Sequence, residues 1–340
     1  MDRDGTTRRG RWALAALAVA LVGAGLVACS SSDTDTASRT TTTTTAGAET
    51  AASTVPYDPD QTYGVGQRAE TFVDESRGTA ALPDRALPAQ DKRSLPTIIL
   101  FPTEVDGAQE PAEGAFPLVV FSHGTGVNAG VYAPFLEPLA RKGYIVALPT
   151  FPLTSLPGAE VDDARNQPAD VSFVIDQLLD LSGGGDSWLA GHIDPAHIGA
   201  AGHSLGAVTT VGLVYDSCCI DERVKAAVVM AGVGVPSNDG TLDDRPPTPL
   251  LLLHGAKDNI VPVSGGDDLF EAATGPAYYL RYDQADHFGF AVNENSALTA
   301  EAVIAFLDAE LKDQPAALDA MPDTVAASGL AAQWQTKNVD

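Results

Sequence analysis

The pentad Gly202-His203-Ser204-Leu205-Gly206 constrains this 340-residue chain more than any other feature. An apolar run, Ile198-Gly199-Ala200-Ala201, leads into it, and a helix-like run, Ala207-Val208-Thr209-Thr210-Val211, leaves it. A serine between two x-Gly pairs at a strand-to-helix corner belongs to a sharp turn that lifts its hydroxyl above a sheet. The flanking glycines let backbone pass close to backbone. The helix start behind the serine places positive potential where negative charge would develop.

The rest of the body fits that corner. Short apolar runs read as buried strands: Pro117–Ser122, Tyr144–Pro149, His197–Gly202, Val224–Ala231, Leu250–His254 and Ala277–Tyr282. Arg68–Val73 and Thr97–Phe101 read as earlier strands. Between them lie helical stretches: Val131–Lys142, Asp162–Leu181, Leu205–Tyr215, Ser264–Ala273 and Ser296–Lys312. Continuous apolar strands alternating with helices imply an α/β fold, a mostly parallel sheet covered on both faces. Ligands are then expected beyond the carboxyl ends of the strands. Residues 61–314 form the expected domain, and Pro315–Asp340 a C-terminal tail. The links 149–162 and 231–250 are too short for a large helical cap.

A serine hydroxyl needs a base and a group to orient that base. His254 and His287 are the histidines that follow Ser204. His287 lies just past the last strand of the helix–strand series, in Asp283-Gln284-Ala285-Asp286-His287-Phe288, and is the expected base. His254 ends a strand and reads as structural. Asp258, after the strand ending at His254, is the expected orienter. Asp283 and Asp286 read as loop solvation, and Asp239, Asp243 and Asp244 as the reserve. The Leu205 N–H is one expected oxyanion donor. The loop Ser122-His123-Gly124-Thr125-Gly126 should supply the other, from Thr125 first and Gly124 next. His123 and His203 read as braces for their loops, and His192 and His197 as structural. Phe288, Tyr132 and Trp188 are candidate lining residues.

Several stretches carry a resemblance. They are Phe72–Gly78, Leu95–Pro102, Phe116–Gly124, Lys142–Ala147, Arg165–Leu178, Ile198–Gly206 and Leu253–Pro262. Together they resemble the α/β-hydrolase superfamily, in particular dienelactone-hydrolase-like proteins and plasma-type platelet-activating-factor acetylhydrolases. The resemblance implies a cofactor-free serine esterase, without metal, that works through an acyl-enzyme. Ser204, Asp258 and His287 match its triad. Two other readings use the same scaffold: an acyltransferase, and a non-catalytic envelope binding protein.

The N-terminus reads as an address. Arg8, Arg9 and Arg11 precede an apolar run, Trp12–Ala28, as in a secretory signal. Its end, Leu26-Val27-Ala28-Cys29, resembles a bacterial lipobox, which implies cleavage before Cys29 and lipid on its sulfur. Residues 29–60, rich in Ser, Thr and Ala, hold too little apolar surface to fold and read as a tether. The expected location is the bacterial cell envelope, with the chain anchored to a membrane through Cys29. Charge supports a lipid rather than an electrostatic anchor. Forty-five Asp and Glu oppose twenty Lys and Arg, a net charge of −25, which also excludes nucleic acid as a partner. The expected partner is an ester substrate, and the chain is expected as a monomer. With Cys29 lipidated, the adjacent pair Cys218-Cys219 remains, either as a vicinal disulfide or as two thiols.

Overall fold

The computed structural model describes residues 62–155, 159–236, 240–243 and 245–339. The expected signal segment 1–28, the lipidation site Cys29 and the tether 29–60 lie outside the described residues. So do the reserve acids Asp239 and Asp244.

Two long strands, β1 (Gly64–Asp74) and β2 (Arg93–Thr103), open the domain as an antiparallel pair. The alternating part follows: β3 (Phe116–Ser122), α1 (Ala133–Arg141), β4 (Ile145–Pro149), α2 (Gln167–Gly183), β5 (Ile193–His203) and α3 (Leu205–Tyr215). It continues with β6 (Val224–Met230), β7 (Leu250–Gly255), α4 (Ser264–Ala272), β8 (Ala277–Tyr282) and α5 (Asn293–Leu311). The chain closes with α6 (Ala316–Asp319), α7 (Met321–Ala327) and β9 (Ala332–Lys337). The nine strands among the described residues form one sheet in the order β1-β2-β4-β3-β5-β6-β7-β8-β9. The six strands from β4 to β8 in that order are parallel; β1, β2 and β9 join antiparallel at the two edges.

Strand periodicity explains why both faces are covered. Successive side chains point to opposite faces. Along β3, Leu118 and Val120 pack with α2, α3 and α4 on one face, while Val119 and Phe121 pack with α1 and α5 on the other. Leu250 and Leu252 on β7 share the first face, Leu251 and Leu253 the second. A strand that is apolar at every position is thus half of two cores.

The expected C-terminal tail docks on the domain. α6 and α7 pack beside α5, with Leu318, Met321 and Val325 in the second core. β9 then adds to the sheet edge in register with β8, from Ala277↔Lys337 to Tyr282↔Ala332. No residue of β9 is fully buried. Main-chain pairing holds it rather than a buried face.

Candidate active site

The order of strands sets the site. The chain leaves β3 toward β4 on one side and returns to β5 on the other, so the loops after β3 and β5 diverge at a switch point. The two strands are in register there, Ser122 opposite Gly202. The loop holding Thr125 and the corner holding Ser204 therefore begin side by side.

That corner is possible only with glycine on both sides. A Cβ on Gly206 would sit 2.0 Å from the Ser122 carbonyl oxygen, and one on Gly202 would sit 2.1 Å from the Gly206 oxygen. Ser204 itself has φ 57° and ψ −119°, a left-handed conformation that costs a serine about 1–3 kcal/mol. Its N–H donates to the Met230 carbonyl of β6 at 2.9 Å, which locks the turn. Leu205 occupies the first helical position of α3. Its N–H has no acceptor within the helix, and the side chain of Ser204 stands at the helix N-terminus.

Asp258 and His287 meet across neighbouring strand ends. Asp258 follows β7 and His287 follows β8. The His287 Nδ1–H donates to Asp258 Oδ2 at 2.7 Å, and both side chains are buried. The other carboxylate oxygen, Oδ1, accepts the Ile260 and Val261 N–H groups, each at 2.8 Å. His254 Nε2 lies 3.0 Å from the Val261 carbonyl and 3.3 Å from Asp258 Oδ2. Both neighbours are acceptors, so Nε2 carries the proton and shares it. Burial alone would raise the pKa of the Asp258 carboxyl. Hydrogen bonds from His254, His287 and the Ile260 N–H outweigh burial and hold it well below the usual carboxylate range.

The remaining candidates sort by position. Asp283 accepts from Gln333, and Asp286 from the Phe288 N–H; neither is the partner of His287. Asp243 is exposed. Gly124, the second candidate for the oxyanion loop, has its N–H on Tyr132 Oη at 3.2 Å. The Gly126 N–H is on the Thr154 carbonyl at 2.7 Å. The exposed Thr125 lies between them. His123 is a brace: Nε2 accepts the Phe151 N–H at 3.0 Å, so Nδ1 donates to the Gly124 carbonyl at 2.8 Å. Burial pushes its pKa down.

The lining candidates divide. Phe288 is 45% exposed and packs edge-on against His287, with ring centroids 5.1 Å apart. Tyr132 is buried beneath the loops rather than lining them. Trp188 is not at the site. It packs on Phe101, lies under Arg68 and donates to Glu70. His192 and His197 bond Gly114 and Asp194 near the other end of β5. Cys218 and Cys219 are joined by a disulfide in the turn after α3. Among the described residues no group of three or more His, Cys, Asp or Glu is arranged to hold a metal.

The sequence gives no direct signal for one cluster. Arg93, 1% exposed, donates to both oxygens of Asp170 (2.8 and 2.6 Å) and both oxygens of Asp163 (3.0 Å each). Arg77 joins Asp170 to Asp74 at 2.8 and 2.6 Å. These contacts tie the β1–β2 pair to the start of α2.

Sheet order and elbow together define an α/β-hydrolase fold. The comparisons agree on that fold. A family model described as Chlorophyllase matches residues 91–257, from the loop before β2 to the residue preceding Asp258. A solved structure, a ferulic acid esterase from Streptomyces cinnamoneus, is 21% identical, with a TM-score of 0.57 over 75% of this chain and 92% of that one. Comparison with curated proteins gave no match.

Proposed function

We propose that the protein is a serine esterase that cleaves carboxylic esters through an acyl-enzyme on Ser204. The observation that carries the reading is the left-handed Ser204 at the start of α3, together with a buried His287–Asp258 pair at 2.7 Å. The esterase name of the structural relative supports the ester as substrate class.

Each role follows from the local chemistry. The Asp258 bond holds the proton of His287 on Nδ1, which leaves Nε2 as the basic atom. His287 takes the hydroxyl proton as Ser204 attacks the ester carbonyl. The tetrahedral oxyanion is held by the N–H groups of Leu205 and Thr125. Asp258, kept ionised, stabilises the imidazolium that forms. The imidazolium returns its proton to the leaving alcohol. Water then enters, and His287 removes a proton from it as it adds to the acyl carbonyl; the intermediate collapses to the acid as His287 returns that proton to Ser204 Oγ.

We also propose that the domain works at the bacterial envelope, tethered by lipid on Cys29. Metabolic labelling with a palmitate analogue is expected to mark the full chain and to fail with Cys29→Ala. Labelling that persists in that variant contradicts the anchor. The catalytic proposal is tested by hydrolysis of p-nitrophenyl esters from acetate to palmitate. Activity is expected in the wild-type chain and lost in a folded Ser204→Ala. Activity kept by that variant, or absent from folded wild type, overturns the reading.

A further inference from the structure

The reacting groups come from strands that are not neighbours. Ser204 follows β5 and His287 follows β8, three positions away in the sheet. At a strand spacing of about 4.8 Å that is about 14 Å. The 283–289 loop must fold back over β7 and β6 to bring His287 to the elbow, and something must hold it there.

The residue beside the nucleophile does so. His203 is buried, and its Nε2 lies 3.1 Å from the main-chain oxygen of His287. Its ring also contacts His287, Phe288 and Phe290, with centroids 4.7, 5.0 and 5.3 Å away. Its other nitrogen, Nδ1, lies 2.8 Å from Tyr132 Oη. Tyr132 Oη in turn lies 3.2 Å from the Gly124 nitrogen.

Elementary donor and acceptor rules fix every proton in this chain. The His287 carbonyl can only accept, so His203 Nε2 carries a proton. Nδ1 of the neutral ring must then accept, so the Tyr132 hydroxyl donates to it. The Tyr132 oxygen is left to accept the Gly124 N–H. Burial, with the nearby His287, pulls the pKa of His203 down to about 3 and keeps the ring in that neutral form. Space is equally tight: a Cβ on Gly124 would lie 3.1 Å from Tyr132 Oη and 3.3 Å from both His203 Nδ1 and Ser204 Cβ.

We propose that Tyr132 and His203 are positioning residues, a proton-ordered relay that locks the oxyanion loop after β3 to the His287 loop after β8 through the residue preceding the nucleophile. The proposal rests on the reading of Ser204 and His287 given above. The relay also commits the Gly124 N–H, which leaves the task of oxyanion donor in that loop to Thr125. Since the relay sets relative positions and touches no substrate, its loss should appear in the transition state and not in substrate binding.

The test uses the full chain, p-nitrophenyl butyrate and a phenylboronic acid as transition-state mimic. Tyr132→Phe is expected to lower kcat about 10- to 100-fold, the scale of a small misplacement of reacting groups. KM should stay within about threefold, and boronate affinity should fall in parallel with kcat. His203→Gln, which offers one acceptor and one donor, should recover most of what His203→Leu loses. The double variant Tyr132→Phe with His203→Leu should be no worse than His203→Leu alone, because the two share one chain of bonds. Wild-type kcat in Tyr132→Phe, or losses that multiply in the double variant, overturn the relay. Should the variants fail to fold, nitrogen NMR of the wild-type His203 ring decides: Nε2–H is expected, and Nδ1–H overturns the proposal. Activity that survives Ser204→Ala would instead overturn the esterase reading and leave the tautomer result standing.

Discussion

Two of the buried charge clusters among the described residues are built on opposite principles. Around Arg93, a permanent cation lies between carboxylates and each of its three nitrogens has a carboxylate oxygen within 3.0 Å. Around Asp258, a carboxylate lies between two imidazoles. Burial would lower the guanidinium pKa of Arg93, but hydrogen bonds to Asp170 and Asp163 raise it instead, so it holds its charge at any working pH. The guanidinium keeps its proton, although burial pushes the Asp170 carboxyl up. Asp258 also stays ionised, but its partners are titratable. It faces imidazole and backbone N–H donors rather than a guanidinium. A buried carboxylate with a fixed cation is a clamp; with an imidazole it is a poised site.

Substitution should separate the two. The largest effect is expected from Asp258→Asn, which removes the charge that favours the imidazolium and frees the wrong tautomer. kcat should fall on the order of 10³- to 10⁴-fold while the protein stays folded. Steady-state kinetics beside a thermal melt reads both. Arg93→Leu should do the reverse: Asp163 loses its cation and Asp170 keeps only Arg77, at a cost of about 3–5 kcal/mol in a urea titration. Activity per folded molecule should be kept. If Arg93→Leu were stable and inactive, the clamp and the site would not be separate.

Acid sharpens the contrast. The Asp258 carboxyl titrates lower in the folded chain than in the unfolded one. Its contribution to stability is therefore present above about pH 4 and is lost as pH falls through the folded value. His203 has a depressed pKa of about 3 in the folded state. Unfolded chains bind its proton below about pH 6.5, so stability should already fall as pH drops from there toward 3. Urea midpoints at pH 7 and pH 5 should differ more for wild type than for His203→Gln. An equal difference would contradict a buried neutral His203. The smallest effect concerns the elbow. Ser204→Gly relieves a left-handed serine and should raise stability by about 1 kcal/mol with activity lost; a lower melting temperature would contradict strain at that turn.

The two clusters also differ in how far the sequence revealed them. The elbow is legible because a Cβ at Gly202 or Gly206 would sit 2.1 or 2.0 Å from a backbone oxygen, which forces glycine, and glycine leaves a mark. Asp258 and His287 are legible because strand ends are easily read from apolar runs. The Arg93 cluster is not, since its partners lie 70 and 77 residues away and Asp163 and Asp170 look like surface acids of a helix start. The Tyr132–His203 contact spans 71 residues and hides for the same reason. Local pattern also missed β9. Ala-Gln-Trp-Gln-Thr-Lys carries no buried stripe, and only pairing with β8 makes it a strand.

The most direct test of the central claim is covalent. The full chain would be treated with diisopropyl fluorophosphate and followed by intact mass and peptide mapping. The account predicts one diisopropylphosphoryl group per chain, on Ser204, with ester hydrolysis lost in step and no label on Asp258→Asn at the same rate. Label on another residue, or hydrolysis that continues in the fully labelled chain, would contradict it.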